Sequence, residues 1–478
     1  MVSESTNRKY NKAVPPSSFL LRFIVAGEFV GKCQLKDPDQ EALSQLTKEV
    51  PLTNDNRHVY RTGPKEGCFL SDKDLQDAGE LRKDIEPWLT AVFQSEHLSL
   101  LLGSGFTCGV AGASGGKGLD MSRCEWKCTH NEKVDEWAEK SAKACGRGTG
   151  NIEDQLRAAM QLQAGLAVIG DKQAAVWKSE IDKQLKCFLE SILESEHSIR
   201  EAKGEKKEKG EDLLVSFLLS FASRTATRER LNLFTTNYDR LIEHGCDLAG
   251  LHVLDRFAGA LSPVFRASRL NIDIHYNPPG IRGEPRYLEG VIRLFKIHGS
   301  LDWRWEEKEL RRYAVPFGAP TSHPDIPMEP PDSVMIYPNA AKDIETLDYP
   351  YAELFRDFAA AVCRPNSSLV TYGYGFGDDH VNRVIKDMLT IPSTHLVIIA
   401  WDNDPADASR QRIMEFCRKV GKRAQISLLL GNHFGDLETL VQNYLPKPAI
   451  DAITFRKAKI EEQRGEGYKR ATGGSGDE

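Results

Sequence analysis

Short apolar runs alternate with amphipathic stretches from residue 98 onward. Each run is five to seven residues long, as is typical of strands that are buried on both faces of a parallel sheet. The runs are Leu98–Leu102, Leu231–Thr235, Val291–Ile297, Ser368–Tyr372, Leu396–Ala400 and Ala424–Leu430. Helical patterns lie between or after several of them, at Asp239–Leu248, Ala352–Cys363, His380–Leu389, Ala406–Val420 and Asp436–Tyr444. This alternation predicts an α/β fold with a Rossmann-like parallel sheet covered by helices on both faces.

A long helical region separates the first two runs. Apolar residues recur at helical spacing in two stretches, one around Ile152 and Leu156 and the other around Leu185 and Phe188. We therefore expect a helical module of about residues 131–222 to be inserted into the α/β domain. The charged run Glu201–Asp212 contains two glycines, and we expect it to be a solvated loop that joins two helices.

These patterns divide the chain into three parts. Residues 1–94 form an N-terminal extension without an assigned role, with a strand-like stretch at Phe19–Val30. Residues 95–446 form the α/β domain, and residues 447–478 form a charged, then Gly- and Ser-rich tail that we expect to be flexible. A length of 478 residues fits two or three average domains, or one large α/β domain with insertions.

Charge and hydropathy narrow the possible function classes. The formal net charge of −6 argues against a basic nucleic-acid-binding domain, although it is compatible with a local basic patch. A run of about 18 apolar residues is absent from the sequence, so we expect no membrane-spanning helix. Arg22 and Glu28 interrupt Phe19–Val30, which argues against a signal-peptide core. We therefore expect a cytoplasmic protein that contacts neither membrane nor nucleic acid directly.

Ten cysteines are scattered along the chain. In a cytoplasmic protein most of them are expected to be reduced thiols in the core or on the surface. Cys124, Cys128, His130 and Cys145 carry ligand atoms that zinc accepts, but their spacing matches no usual zinc-knuckle pair. We therefore expect no bound metal.

Two glycine-rich turns follow apolar runs. Gly103-Ser104-Gly105-Phe106-Thr107 comes directly after the first run, and Gly373-Tyr374-Gly375 comes directly after the fourth. Glycine permits tight turns and close approach of a ligand, and the helix that follows can direct N–H groups at a phosphate. Cys108 occupies the place of the third glycine in the usual dinucleotide fingerprint. A plain strand-to-helix turn explains the first motif nearly as well.

Polar side chains follow two further runs. Thr236-Asn237-Tyr238-Asp239 comes after the second run, and His298-Gly299 comes after the third. Open α/β sheets bind ligands at the carboxyl ends of their strands, and a titratable imidazole there suits a general base. The alternative is structural, since Asn237 or Asp239 can cap the next helix and a lone histidine is more often part of the core.

The order of these motifs resembles the sirtuin superfamily, in particular its bacterial sirtuin-like NADase branch. The motifs correspond in chain order to that family's Gly-Ala-Gly-x-Ser turn, its Gln-Asn-x-Asp loop, its catalytic His-Gly pair and its ribose-binding glycine turn, over roughly residues 95–446. The resemblance implies a sirtuin-like fold, NAD⁺ as the substrate, and catalytic roles for Asn237, Asp239 and His298. The residues that it implies for NAD⁺ binding are Gly103, Ser104, Gly105, Phe106, Thr107, Thr236, Gly373, Tyr374 and Gly375.

Departures from the family pattern bear on the reaction. Protein-deacylating sirtuins carry a four-cysteine zinc module after the catalytic histidine, whereas only Cys363 and Cys417 follow His298 here. Thr236 stands where deacylases have glutamine, and the arginine that follows their first turn has no clear match. These departures favour NAD⁺ hydrolysis to nicotinamide and ADP-ribose, and they leave open whether the ADP-ribose is released linear or cyclised. The alternatives are an NAD-dependent protein deacylase, a non-catalytic NAD or ADP-ribose sensor and, more distantly, a dehydrogenase.

The resemblance also implies a biological setting. Sirtuin-like NADases of this branch commonly act as toxic effectors of bacterial antiphage defence, some with a HerA-type hexameric ATPase or a prokaryotic Argonaute. The extension and the tail are short for a sensor domain, so a separate partner or a homo-oligomer is the expected trigger.

Overall fold

The computed structural model describes residues 57–447 except for 63–67, 72–74, 76–77, 120–122, 145–149, 225–227, 269–271, 277–285, 327–332, 336–348 and 405. The stretch Phe19–Val30, the tail after residue 447 and Cys145 lie outside the described residues.

A central sheet of nine strands organises the described part of the chain, with the spatial order β2-β1-β16-β15-β14-β3-β4-β10-β5. The seven strands from β16 to β5 run parallel, and β1 and β2 are antiparallel at one edge. The bounds are β1 His58–Arg61, β2 Cys68–Leu70, β3 His97–Leu102, β4 Leu231–Thr235, β5 His252–Leu254, β10 Val291–Lys296, β14 Ser367–Tyr372, β15 His395–Ala400 and β16 Ile426–Leu430. The six apolar runs are the six strands β3, β4, β10, β14, β15 and β16, so the predicted parallel sheet is confirmed.

Part of the N-terminal extension belongs to this sheet. Strand β1 pairs with β16, although its sequence ends in a charged residue and the surrounding stretch is polar. The Arg61 side chain is buried there, and it donates through Nε (3.1 Å) and Nη2 (2.7 Å) to the carbonyl of Ile426. Burial lowers the pKa of the Arg61 guanidinium to about 10. The hydrogen bonds to the carbonyl offset part of the cost of burying the charge.

Helices cover both faces of the sheet. Their bounds are α1 Ala78–Phe93, α2 Ser104–Ser114, α3 Asn131–Ala144, α4 Ile152–Val168, α5 Gln173–Arg200, α6 Glu205–Ala222, α7 Leu241–Ala249, α8 Tyr351–Val362, α9 Asp379–Met388, α10 Ala408–Val420, α11 Asn432–Gly435 and α12 Leu437–Thr439, with a 3₁₀ turn at Arg423–Gln425 and a π-helical turn at Leu440–Tyr444. One apolar core joins the sheet to α1, α2, α6 and α7, and a second joins it to α8, α9 and α10. Among the described residues, no helix has the length and apolar character needed to cross a bilayer.

The helical region between β3 and β4 divides into two structural roles. Helices α3, α4 and α5 share a core of their own, built around Trp177 and Phe188. Tyr238, which follows β4, also belongs to this core, so the helical module packs directly against the loop after that strand. Helix α6 instead packs in the layer on the sheet. The module is therefore tied to the edge of the sheet where the predicted site lies.

The charged run Glu201–Asp212 is not a loop, contrary to the prediction. Helix α6 begins at Glu205, and only residues 201–204 form the turn before it. Glu205 lies in the first helical turn, where a negative charge interacts favourably with the helix dipole. Lys207 and Glu211 form an i,i+4 ion pair at 3.9 Å. Because the exposed face of a charged helix has the composition of a solvated loop, composition alone could not distinguish the two.

A second sheet was not predicted from the sequence. Its five strands have the order β13-β11-β12-β7-β6, and the pairs that the structure describes are antiparallel. The bounds are β6 Phe257–Ala258, β7 Val264–Phe265, β11 Gly299–Glu306, β12 Glu309–Arg312 and β13 Ser333–Met335, and a separate hairpin pairs β8 His275–Tyr276 with β9 Arg286–Tyr287. Strand β11 begins directly after His298, so the backbone at His298 is held between β10 of the central sheet and β11 of the second sheet.

The order of strands reverses between β3 and β14. From β3 the chain continues through β4 to β10 on one side, and it then crosses back to β14, β15 and β16 on the other. Open α/β sheets form a crevice at the carboxyl ends of the strands at such a switch point. Leu102 is paired in register with both Tyr372 and Thr235, and Thr235 is paired with Lys296. The four strands therefore end level, and the residues after them emerge at one edge.

The packing of α6 against α2 can be tested by substitution of Gly210. A Cβ atom at this position would overlap the Ser114 hydroxyl and lie 3.0 Å from Ser114 Cβ, at the end of α2. We expect Gly210→Ala to lower the free energy of unfolding by about 1–3 kcal/mol, because overpacking outweighs the better helix propensity of alanine. Chemical denaturation measures the change.

Gly165 provides a matched control. It lies in α4, and a Cβ atom added at this position would have no neighbouring atom within 4 Å outside the helix's own backbone. Gly165→Ala should raise stability by up to about 1 kcal/mol. Stabilisation by Gly210→Ala of the same size as that by Gly165→Ala would contradict the described contact between α6 and α2.

Candidate active site

A cavity of about 290 Å³ opens at the carboxyl ends of the central strands. The predicted site residues that line it are Gly103, Ser104, Thr107, Thr236, Asn237, Asp239, His298, Gly373, Tyr374 and Gly375. Gly105 lies on a neighbouring cavity instead. The side chain of Phe106 is fully buried in the core, where its ring packs 4.9 Å from that of Phe217, so this side chain has no access to either cavity.

The two glycine turns are packed against each other. A Cβ atom at Gly103 would lie 2.5 Å from the Gly373 carbonyl oxygen, and one at Gly105 would lie 2.7 Å from Gly373 Cα. Gly373 itself has a φ of +64°, a conformation that side chains disfavour. The glycines therefore allow the end of β3 to meet the end of β14, which is a structural requirement in addition to any contact with a ligand.

This packing also uses two backbone amides of the first turn. The Gly105 N–H donates to the Gly373 carbonyl at 3.1 Å, and the Phe106 N–H donates to the Gly103 carbonyl at 3.0 Å. From the sequence, the first turn of α2 was expected to direct its amides at a phosphate. At least these two are already bonded to protein in the described structure.

Asn237 is held rigidly beside the first turn. Its Nδ2 donates to the Gly103 carbonyl and to Thr107 Oγ1, each at 3.0 Å, and only 7% of the residue is exposed. Both amide hydrogens are thus committed to protein acceptors. The amide oxygen of Asn237 is the atom that can accept a hydrogen bond from a water or a hydroxyl group in the cavity.

Asp239 has the capping contact considered from the sequence, and it also lines the cavity. Its Oδ1 accepts the Leu241 N–H at 3.1 Å, which is a capping interaction at the start of α7. Its Oδ2 accepts the Thr107 hydroxyl at 2.8 Å, and this bond joins the carboxylate to the Asn237 network. The carboxylate therefore fixes the loop and also places a negative charge at the wall of the cavity.

Lys296 supports the loop that carries Asp239, and it was not predicted from the sequence as a site residue. The side chain is buried at the end of β10, and its ammonium donates to the backbone carbonyl of Asp239 and, at 3.1 Å, to Glu243 Oε1. Burial raises the pKa of the Glu243 carboxyl, and the Lys296 charge opposes that rise. The signal in the sequence was a lysine at the end of a mainly apolar strand, directly before the residues assigned to the site.

Two buried histidines face each other at the cavity. His298 Nε2 lies 3.0 Å from His380 Nε2, although 82 positions separate the two residues. His298 follows β10, whereas His380 lies in the first turn of α9. Because a hydrogen bond between two Nε2 atoms needs one proton, one imidazole must present a protonated nitrogen and the other a lone pair. His380 was also missed from the sequence as a site residue.

The same region contains a possible set of metal ligands. In the described part of the chain, His298, Asp378 and His380 are the group whose ligand atoms all lie within 4.8 Å of one another. Cys124 and Cys128 form no such group with described residues. Burial raises the pKa of the Cys124 thiol to about 12, so this thiol is protonated at neutral pH. The histidine pair is compatible with a shared proton as well as with a metal.

The helical module forms one wall of the cavity. Asn151 and Glu153 at the start of α4, and Ile192 and Ser195 on α5, line it opposite the strand ends. Asn151 also forms a capping box with Asp154. The module thus both narrows the opening and supplies polar groups to the site.

A buried ion pair ties the module to the loop after β4. Glu196 on α5 accepts the Arg240 backbone N–H at 2.8 Å and pairs with the Arg240 guanidinium. The guanidinium also donates to the carbonyls of Val315 and Pro316. Removing one partner of such a pair would leave a buried charge without compensation. This pair keeps α5 in place over the site.

A larger cavity of about 690 Å³ adjoins the first. The residues common to the two cavities are Ser104, Gly373, Tyr374, Gly375 and Arg412. The Tyr374 ring is buried against Phe376, and its hydroxyl donates to Asn382 Oδ1 at 3.1 Å. Burial raises the pKa of the Tyr374 phenol, so the hydroxyl stays protonated. The glycine turns therefore lie where the two cavities meet.

Metal content is a direct test of the histidine pair. We expect dialysed protein to contain much less than one equivalent of zinc, manganese or nickel per chain by elemental analysis, because two imidazoles that share a proton need no ion. One equivalent of metal that is lost in His380→Ala would show that the pair is a metal site. Cys124→Ser serves as the control, and its metal content should equal that of the wild type.

Comparison with known proteins adds one finding. Residues 231–420 match the model of the SIR2-like domain family, and a search of curated proteins finds no match. The matched range runs from β4 to the end of α10, so it contains Asn237, His298, His380 and Arg412 but not the first glycine turn. SIR2-like domains bind NAD⁺, and the match fits an NAD-utilising enzyme. The match supports the assignment of this part of the chain to the sirtuin-like family.

Proposed function

We propose that this protein is an NAD⁺ glycohydrolase, which splits NAD⁺ into nicotinamide and ADP-ribose. The observation that carries the proposal is the placement of Asn237 and His298 on one cavity at the switch point of the sheet. Both follow strands that end in register. An amide oxygen and an imidazole are the groups that hydrolysis of a glycosidic bond can use to position and deprotonate water.

The two adjoining cavities suit the two halves of a dinucleotide. The smaller cavity, with Asn237 and His298, would hold the nicotinamide riboside half. The larger cavity would hold the adenosine half, and Trp401 lines it with an indole that is half exposed and suited to stacking with a purine. The diphosphate would then lie at the glycine turns, where the cavities meet.

Cleavage of the nicotinamide–ribose bond requires the protein mainly to orient the reacting groups and to stabilise the positive charge that develops on the ribose. The bond between the nicotinamide nitrogen and the ribose anomeric carbon breaks, and its electron pair leaves with neutral nicotinamide. The ribose passes through an oxocarbenium-like state, which the negative charge of Asp239 can stabilise across the site. A water oxygen bonds to the anomeric carbon, Asn237 orients that water, and His298 takes its proton.

Water is favoured as the acceptor over an acyl-lysine peptide. The four-cysteine module that follows the catalytic histidine of protein deacylases is missing from the sequence. In its place, the chain continues directly from His298 into β11 of the second sheet. The alternative functions are a protein deacylase and a non-catalytic sensor. A deacylase would consume NAD⁺ only when an acylated peptide is present.

The biological role that we propose is that of a toxic effector in bacterial antiphage defence. This part of the proposal rests on the family resemblance of the motifs. Continuous NAD⁺ hydrolysis would harm the host, so the activity needs a trigger, such as a HerA-type ATPase, another defence protein or assembly of the chain with itself.

This role leads to a prediction for the isolated protein. We expect it to be a homo-oligomer with low NAD⁺ turnover, which rises when a partner or infected-cell extract is added. Light scattering coupled to size exclusion, together with a nicotinamide release assay, measures both properties. Full turnover by a monomer without additives would contradict the proposed regulation but not the proposed reaction.

The catalytic pair can be tested by substitution. We expect Asn237→Ala and His298→Ala each to reduce NAD⁺ cleavage by about 10²–10⁴-fold, since each removes a group that acts in the transition state. Asn237→Ala should also lower stability by about 1–2 kcal/mol, because the buried amide donates two hydrogen bonds. Steady-state kinetics and thermal unfolding separate the two effects.

The pH profile distinguishes the two roles. Cleavage by the wild type should fall on acidification as the imidazole base becomes protonated, and His298→Ala should lack this acid limb. His395→Asn is a matched control, because His395 is a largely buried histidine at the amino end of β15, on the opposite edge of the sheet. That variant should keep the wild-type rate and profile at a temperature where it is folded. Near-normal cleavage by His298→Ala would show that His298 is structural.

A further inference from the structure

Arg412 lies where the two cavities meet. It is on α10, is partly buried, and lines both the smaller and the larger cavity. Its Nε donates to the Gly375 carbonyl at 2.8 Å, so the guanidinium is fixed against the second glycine turn. A Cβ atom at Gly375 would lie 3.3 Å from Arg412 Nη2, which shows how closely the guanidinium follows that turn.

Positive charge is scarce around these cavities. The cationic side chains among their described lining residues are Arg412 and Lys209. Lys209 lines only the larger cavity, so it is not one of the residues at the junction. The other charged lining groups are acidic, and they include Asp239 and Asp378 in the smaller cavity. A doubly negative ligand group at the junction therefore depends on Arg412 for charge compensation.

The backbone N–H groups of the first glycine turn are only partly available to bind a phosphate in place of the Arg412 charge. Two amides of the first turn are bonded to carbonyls, Gly105 N–H to Gly373 and Phe106 N–H to Gly103. A helix N-terminus binds phosphate through its unbonded N–H groups as well as through its dipole. With part of that donor set already used, a side-chain cation becomes the stronger contributor to phosphate binding. Arginine suits this task, because its planar guanidinium matches the geometry of phosphate oxygens.

We propose that Arg412 binds the diphosphate of the dinucleotide and so places its two halves in the two cavities. This inference rests on the proposed NAD⁺ substrate and adds a binding residue that none of the sequence motifs contains. It also gives the site a cation in place of the arginine that follows the first turn in protein deacylases and has no match here. Arg412 comes from α10, more than 300 positions after that turn.

A purely structural role for Arg412 would have a different signature. If the side chain only supported the Gly375 turn, loss of the Nε bond would disturb the turn whether or not a positive charge remained. Lysine keeps the charge but lacks the bond geometry of Nε, whereas glutamine removes the charge. The two substitutions therefore separate charge from support.

The experiment is titration calorimetry with ADP-ribose, a product that contains the diphosphate and is not cleaved. Arg412→Gln should weaken binding by about ten- to hundredfold, and Arg412→Lys should retain a clear part of the affinity. Arg418→Gln is the matched control, since Arg418 is an exposed arginine on the same helix and does not line either cavity. It should bind as the wild type does. Added salt should weaken binding to the wild type more than to Arg412→Gln.

The outcomes separate this inference from the proposed function. Wild-type affinity in a folded Arg412→Gln variant, or equal losses in the Gln and Lys variants, would overturn the role of Arg412 and leave the proposed reaction standing. Absence of ADP-ribose binding to the wild type would overturn both. Thermal unfolding of each variant confirms that the compared proteins are folded.

Discussion

The register of four neighbouring parallel strands determines where this protein can do chemistry. Because β14, β3, β4 and β10 end level, the segments that follow them emerge side by side at the switch point of the sheet. Two of these segments are glycine turns in direct contact, and the other two carry Asn237 and His298. A slip of one strand by one residue would turn its terminal side chains to the other face and dismantle the arrangement.

Buried polar contacts convert this alignment into a rigid site. Thr107 connects the first turn to Asn237 and Asp239, while Lys296 holds the backbone of the same loop from the end of β10. The ion pair between Glu196 and Arg240 then locks the helical module over the loop. A group oriented before the ligand arrives loses less entropy in the transition state, so these contacts would serve the proposed catalysis as well as stability.

The sequence was sufficient for six of the seven parallel strands of the central sheet and for the polar residues that follow them. Apolar runs identify buried strands through local composition, and polar residues directly after them mark the carboxyl edge. The same reasoning could not find His380 or Arg412, because each reaches the site from a helix whose packing depends on contacts distant in sequence. It also assigned Glu201–Asp212 to a loop, since a charged helix surface and a loop have similar composition. Strand β1 was missed for a related reason: its buried Arg61 is stabilised by a carbonyl of a strand more than 350 positions away.

We propose that water attacks the ribose anomeric carbon of NAD⁺ and displaces nicotinamide at the cavity that Asn237 and His298 line. The most direct measurement incubates the protein, in excess over NAD⁺, in water enriched in ¹⁸O and identifies the products by mass spectrometry. We expect equal amounts of nicotinamide and ADP-ribose, with one ¹⁸O atom in the ADP-ribose, and a far smaller yield with Asn237→Ala. Release of nicotinamide with a cyclised or acceptor-linked ADP-ribosyl product in place of ¹⁸O-labelled ADP-ribose, or intact NAD⁺ after prolonged incubation with excess protein, would show that this proposal is wrong.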